Sequence, residues 1–222
     1  MEFDGLLRRL GETRPIDAPV RFAAGPIHHN SSLSSLCLVS NGPGPARADA
    51  ACRVHSGPFD AVVSTGFCGG THPGLKVGDI AVATEVRSET SSFASFSPRG
   101  PKPAMTGPIV SQDRVASTAA DKKRLGDSGA IAVEMEAAAV AAFAEQTGTP
   151  FFCIRVVSDT VEDDMPLDFN DYRTADGDFD RKAVALAALR RPFSRIPALR
   201  RFQRNCQIAS ESLGAFLADC RF

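Results

Sequence analysis

The 222-residue chain carries 43% apolar and 23% charged side chains, which suits one folded α/β domain and excludes a disordered segment. Its formal net charge is −1, so the molecule as a whole has no bulk attraction for nucleic acid. Fifteen Phe, one Tyr and no Trp argue for core packing over a carbohydrate- or oligonucleotide-stacking surface.

Residues 5–11 read as a short helix ending near Gly11, and 19–24 and 36–40 (LCLVS) read as strands. Asn41-Gly42-Pro43-Gly44 then turns the chain into a helix over 45–54. Residues 60–65 form a buried strand that runs into a Gly-rich turn, Gly66-Phe67-Cys68-Gly69-Gly70, and a further strand follows over Ile80–Val86. The Ser-, Pro-, Gly- and Thr-rich stretch 87–107 reads as a long loop, of a length that tends to be functional or mobile. Beyond it come a strand at 108–111, a helix at 117–125, a short apolar strand AIAV (130–133) and a helix over 134–147, stopped by Gly148 and Pro150. FFCIRVVS (151–158) is almost continuously apolar, the pattern of a parallel strand covered on both faces. A polar loop over 159–178 separates it from helices at 180–191 and 198–219. This alternation predicts one α/β layer sandwich spanning 1–222, a mixed central sheet flanked by helices, with a basic helical C-terminal segment at 180–222.

The six cysteines show no CxxC spacing, and His28, His29, His55 and His72 add no zinc-ligand spacing. A reducing compartment, no structural metal and no cofactor are expected. No signal peptide and no stretch of membrane-spanning length is evident, so the cytoplasm is the expected location.

Three constellations carry chemistry. Ser158-Asp159 closes the buried strand, where open α/β sheets bind ligands and where partial desolvation favours a carboxyl that holds or shares a proton. A cap for the next turn is the competing reading. Glu134-Met135-Glu136 opens a helix, either as acids favoured by the macrodipole or as a carboxylate that accepts from a vicinal diol such as ribose. The Gly66–Gly70 segment lets backbone amides approach a ligand oxygen, or is merely a tight turn. It has neither Walker nor dinucleotide-fingerprint spacing. Arg155, within the apolar strand, needs a carboxylate partner, with Glu134 a candidate.

VSTGFCGGTHPGLKVGDIAVATEV (63–86), AVEMEAAAVAAFAEQTGTPFFCIRVVSDT (132–160) and LVSNGPGPARADAA (38–51) together resemble the purine nucleoside phosphorylase / methylthioadenosine–S-adenosylhomocysteine nucleosidase superfamily, in order and spacing, over roughly residues 36–165. GFCGG, NGPGP and DDMPLDFNDYRTADG are most similar to hopanoid-associated phosphorylases, which act on an adenosylated lipid. The resemblance implies cleavage of the N-glycosidic bond of an adenosine-type purine nucleoside by water or phosphate. It makes Asp159 the residue that protonates purine N7, Met135 and Glu136 the ribose-binding pair, and Ser158 a wall of the base pocket. It puts Val115 where nucleosidases carry an aromatic against the base, and Gly66, Phe67 and Gly69 in the loop that holds the attacking water or phosphate. It also implies a homo-oligomer.

Three departures stand beside this likeness. The family's sheet begins with an apolar strand ending in a Glu-containing turn. This chain opens on residues that match those just after it, so a missing first strand is expected, with Glu2 in the place of the water-activating glutamate or else a solvated terminal residue. Phe67 stands where phosphorylases tend to carry a phosphate-binding Ser or Thr, which tilts the nucleophile toward water, while the likeness to hopanoid-associated phosphorylases tilts it back toward phosphate. The 87–107 stretch and the C-terminal segment have no counterpart in the general pattern. The latter holds Arg190, Arg191, Arg195, Arg200, Arg201 and Arg204 between apolar residues, either a solvated helix face or a surface for peripheral contact with anionic lipid. A nucleoside-binding relative impaired in turnover is the competing reading of function. An α/β-hydrolase esterase is disfavoured by the lack of a GxSxG elbow.

Overall fold

The computed structural model describes residues 2–10, 20, 22–29, 34–54, 58–100 and 103–222. The first helix, α1 (Asp4–Leu10), has Asp4 in its first turn and Arg8 and Arg9 in its last, matching the helix dipole at both ends. Strands β1 (Phe22–His29) and β2 (Ser34–Ser40) form an antiparallel pair of their own. Helix α2 (Pro45–Cys52) starts on Pro45, whose missing N–H costs nothing in a first turn. There follow β3 (Val62–Gly70), β4 (Ile80–Arg87), the short β5 (Ser92–Ala94) and β6 (Met105–Ser111). Helix α3 (Ala119–Asp127) is capped by Thr118, whose side chain accepts the Asp121 N–H. Strand β7 (Ala132–Glu134) leads into α4 (Ala137–Thr147), which ends on Gly148 in the left-handed region. Strand β8 (Phe151–Asp159), a 3-10 turn (Phe169–Tyr172), α5 (Arg181–Leu189) and the long α6 (Pro192–Ala218) complete the chain.

The main sheet is mixed, in the order β5-β4-β6-β7-β3-β8. The first residues of β4 also pair with Ile154–Val156 of β8, so β4, β6, β7, β3 and β8 close into a ring. Each face of the sheet has its own core. On one, Ala137, Ala141 and Ala144 of α4 sit against Ala81, Ala83, Ile109, Cys153 and Val157, and the small alanines let the helix lie close to the strands. On the other, Ala209, Leu213 and Phe216 of α6 cover Ile80, Val82, Ile154 and Val156. Strand β8 is therefore buried along its whole length, which is why its sequence is nearly all apolar. Helix α1 crosses α6 where Gly5 and Gly214 touch, and the Gly5 N–H donates to Ser210 Oγ at 3.0 Å.

The layer sandwich with a mixed sheet is as the pattern of elements predicts, with local corrections. The Gly-rich segment 66–70 is not a turn but the second half of β3, paired with β8 on one side and, at Gly69 and Gly70, with β7 on the other. A β-carbon at Gly69 would lie 3.2 Å from Asp159 Oδ2, so the glycines serve close strand packing, not chain reversal. Glu134 ends a strand, and the helix predicted from 134 starts at Ala137. The predicted loop 87–107 contains β5 and the start of β6, and its residues 101–102 lie outside the described residues. The two C-terminal helices meet at Pro192, and Pro197 sits inside the second. There it forgoes a bond to the carbonyl of Phe193, at an end where solvent can take its place. The predicted strand 19–24 is observed as Phe22–His29, with residues 19 and 21 outside the described residues; Gly11, His55 and the side chains of His28 and His29 also lie outside them. Among the described residues no strand precedes α1, and opposite β8 the strand β3 has a ladder partner only at Gly69 and Gly70.

Candidate active site

The ends of β3, β7 and β8 open onto one long cavity, into which the NGPGP turn before α2 also projects and which runs on past the starts of β3 and β8. Glu2, Phe67, Gly69, Val115, Met135, Glu136, Ser158 and Asp159 all line it. Gly66 stands just behind: its φ of 151° suits glycine, and a β-carbon there would strike Glu2 Oε1 at 2.2 Å. The two acids singled out from sequence, Glu136 and Asp159, thus face the same space.

Glu136 stands at the first position before α4 without capping it, and its Oε1 instead accepts the Gly44 N–H at 2.8 Å. Burial, followed by the charge of Glu134, pushes its carboxyl up to about 7, against the pull of Arg155 and the Gly44 amide. Glu134 plays a different part. Its Oε2 accepts the N–H groups of Glu136 at 2.9 Å and Ala137 at 2.8 Å and pairs with the guanidinium of Arg155. Arg155, 2% exposed, also donates to Ser64 Oγ at 2.7 Å. The partner suggested for Arg155 is therefore the one it has, and the pair braces the turn that presents Met135 and Glu136.

Glu2 reaches this region because α1 is held against α6. Its Oε1 accepts the Phe67 N–H at 2.6 Å. Burial raises its carboxyl above the usual range, with the Phe67 amide and Arg155 opposing. The amide that could receive an anionic oxygen is thus already occupied by a carboxylate.

Asp159 is buried and held from both sides. Ser158 Oγ donates to Oδ1 at 2.7 Å, and Lys122 Nζ donates to Oδ2 at 2.6 Å. Val115 is fixed by Asn170, whose side-chain oxygen accepts the Val115 N–H at 2.9 Å and whose amide donates to the Val115 carbonyl at 2.9 Å. Lys122 and Asn170 are the residues that sequence reasoning missed. Lys122 sits in the run DKKR, which reads as a solvated helix face. The signal for Asn170 is its place in the DFNDY stretch, within the polar segment 159–178.

The sequence profile of the Phosphorylase superfamily matches residues 5–113 and 99–190. The chain belongs to the Phosphorylase superfamily. This superfamily member is 31% identical to a 5'-methylthioadenosine/S-adenosylhomocysteine nucleosidase of Colwellia psychrerythraea, over 70% of this chain and 80% of the relative. It is 30% identical to the enzyme of the same description from an Exiguobacterium species, over 51% of this chain and 61% of that one. Among solved structures, the Neisseria meningitidis nucleosidase in complex with methylthio-immucillin-A shares the fold, with a TM-score of 0.67 at 22% identity, covering 96% of this chain and 91% of that one. Among the described residues of this superfamily member, no helix is long and apolar enough to cross a membrane.

Proposed function

We propose that the chain cleaves the N-glycosidic bond of an adenosine-type purine nucleoside, with Asp159 as the acid that protonates N7 and Glu136 as the ribose ligand. The single observation that carries this reading is that both carboxyl groups line one cavity, at the ends of adjoining elements. Breaking the C–N bond leaves positive charge on the sugar ring and negative charge on the base. Asp159 neutralises the base, and Glu136 grips the diol and favours the cation. Water, activated by Glu2, is the nucleophile. Support comes from the Phe67 amide, which Glu2 already closes against an anionic oxygen, and from Phe67 itself, which offers no hydroxyl to a phosphate. The relatives' names, which specify nucleosidases, agree with this.

Adenine release from adenosine-type substrates, measured with and without phosphate, tests the reading. Release independent of phosphate is expected, and Asp159→Asn is expected to bind ligand while losing most turnover. Binding without release would favour a nucleoside-binding relative, and phosphate-dependent release would make phosphate the co-substrate.

The same proposal extends to the 5' substituent and to a membrane surface. Leu36, Leu38, Phe59 and Phe143 contribute apolar wall to the cavity, which suits an apolar substituent such as the likeness to hopanoid-associated phosphorylases implies. From 181 to 210 the chain has Lys or Arg at 181, 182, 190, 191, 195, 200, 201 and 204 and no Asp or Glu. Beside these charges Leu186 and Leu189 are exposed, and Phe193 is 96% exposed. A basic surface tipped by an aromatic and two leucines suits anionic lipid better than nucleic acid, which has no apolar layer to receive them. The homo-oligomer implied by the resemblance completes the proposal, and sedimentation velocity tests it.

A further inference from the structure

Lys122 has no part in the roles above, yet the fold has built a cage for it. Its side chain has no solvent exposure, and its ammonium donates to Asp159 Oδ2 at 2.6 Å, to the Thr160 carbonyl at 2.8 Å and to the Asp163 carbonyl at 2.7 Å. Three N–H donors meet three acceptors, so the charged amine is fully satisfied. The cage is itself braced: Asp163 Oδ2 accepts the Thr160 N–H at 3.0 Å and the Thr160 hydroxyl at 2.7 Å, and Arg201 of α6 stands 3.9 Å from Asp163 Oδ1. Burying an ammonium costs several kcal/mol before its partners are counted. The cage ties α3 to the segment after β8, and it also places the ammonium against the one carboxyl that closes the cavity end of that strand.

We propose that Lys122 is a positioning residue for glycosidic cleavage, acting only through Asp159. This rests on the reading of Asp159 as the acid. Lys122 fixes one carboxyl oxygen while Ser158 fixes the other, so the plane of the carboxyl group cannot turn. In the reaction Asp159 starts with its proton on Oδ1, while the Ser158 hydroxyl donates to the Cys68 carbonyl and Lys122 holds Oδ2. The C–N electron pair passes to the base, N7 takes the Oδ1 proton, water bonds to the anomeric carbon and yields its own proton to Glu2, and Asp159 is left as a carboxylate. The new negative charge then forms beside an ammonium already in place, with no solvent to reorganise.

The test is a double-mutant cycle on adenine release with Lys122→Met, Asp159→Asn and the double variant, with Lys122→Arg alongside. Lys122→Met is expected to lower kcat by at least about 10²-fold while KM moves by less than about threefold, and Lys122→Arg to recover part of the rate. In the Asp159→Asn background, Lys122→Met is expected to cost less than about threefold more, because the group it serves is gone. Losses that multiply, or a KM that rises with kcat unchanged, overturn the proposal. Lys122→Met leaves a buried carboxylate and two carbonyls without a partner and can fail to fold. The double variant, which carries no charge at either position, still decides the matter by comparison with Asp159→Asn alone. Wild-type kcat in Asp159→Asn overturns the catalytic reading and this proposal together, whereas an inactive Asp159→Asn with multiplicative losses overturns this proposal only.

Discussion

Gly5 and Gly214 meet backbone to backbone where α1 crosses α6: a β-carbon on Gly214 would lie 2.2 Å from the carbonyl carbon of Gly5. Three residues before Gly5 is Glu2, so this crossing sets where the Glu2 carboxyl falls. Gly214→Ala is expected to push α1 off α6, lower the melting temperature and cut kcat/KM by at least about tenfold. Wild-type turnover in a folded Gly214→Ala variant would show that Glu2 is not needed where it stands.

Glu2→Gln keeps the size of the side chain and removes the base. A fall in kcat of roughly 10²- to 10⁴-fold is expected, with KM little changed. Steady-state rates at saturating substrate measure it. A loss confined to KM would make Glu2 a binding group.

The Glu136 carboxyl, held up at about 7, ties stability to pH. Its folded-state value lies above the unfolded one, so the native state binds the extra proton between the two. The stability this contributes is full below the unfolded value near 4.5 and is lost as pH rises through about 7. The ligand-free protein should therefore lose melting temperature from pH 5 to pH 8, and Glu136→Gln should flatten that slope. A slope left unchanged by the substitution would assign the effect to other groups.

Arg155→Met is expected to destabilise the fold by about 3–5 kcal/mol in urea denaturation, because Glu134 is left as a buried carboxylate without its counter-charge. Simultaneous replacement of Glu134 by Gln should recover part of that loss. It should not restore activity, since the Glu134 brace on the Met135–Glu136 turn is weakened as well.

For the basic surface, Phe193→Ser combined with Arg190→Glu is expected to reduce co-sedimentation with phosphatidylglycerol-containing vesicles at least about tenfold. Adenine release from a water-soluble substrate should stay unchanged. Equal binding of the wild type to neutral and anionic vesicles would remove the lipid reading.

Most elements were legible because their signals are local. Pro45 and Gly148 mark their elements by backbone chemistry, and the nearly apolar run 151–158 marks its strand by side-chain pattern. The Gly66–Gly70 segment misled because glycine permits both a turn and the tightest strand packing, and only the proximity of Asp159 and Val133 distinguishes them. Lys122 was not legible at all. Its three acceptors come from a strand end and a loop about 40 positions away, so nothing in DKKR separates it from its exposed neighbour Lys123. The cavity acids were found through the resemblance as much as through spacing. On spacing alone the turn cap was the stronger reading of Asp159, whereas the buried Arg155 already pointed to Glu134 as its partner and left Glu136 for the ligand.

The closure of β4 onto β8 has a consequence for how the molecule opens. Ile154, Arg155 and Val156 pair with β3 on one side and with β4 on the other, under cores on both faces. Their amides should exchange with deuterium only when the entire chain unfolds, while α5 and the exposed start of α6 exchange by local fraying. Asp159 hangs from the end of this strand, so its carboxyl should keep its place even while the rim of the cavity breathes.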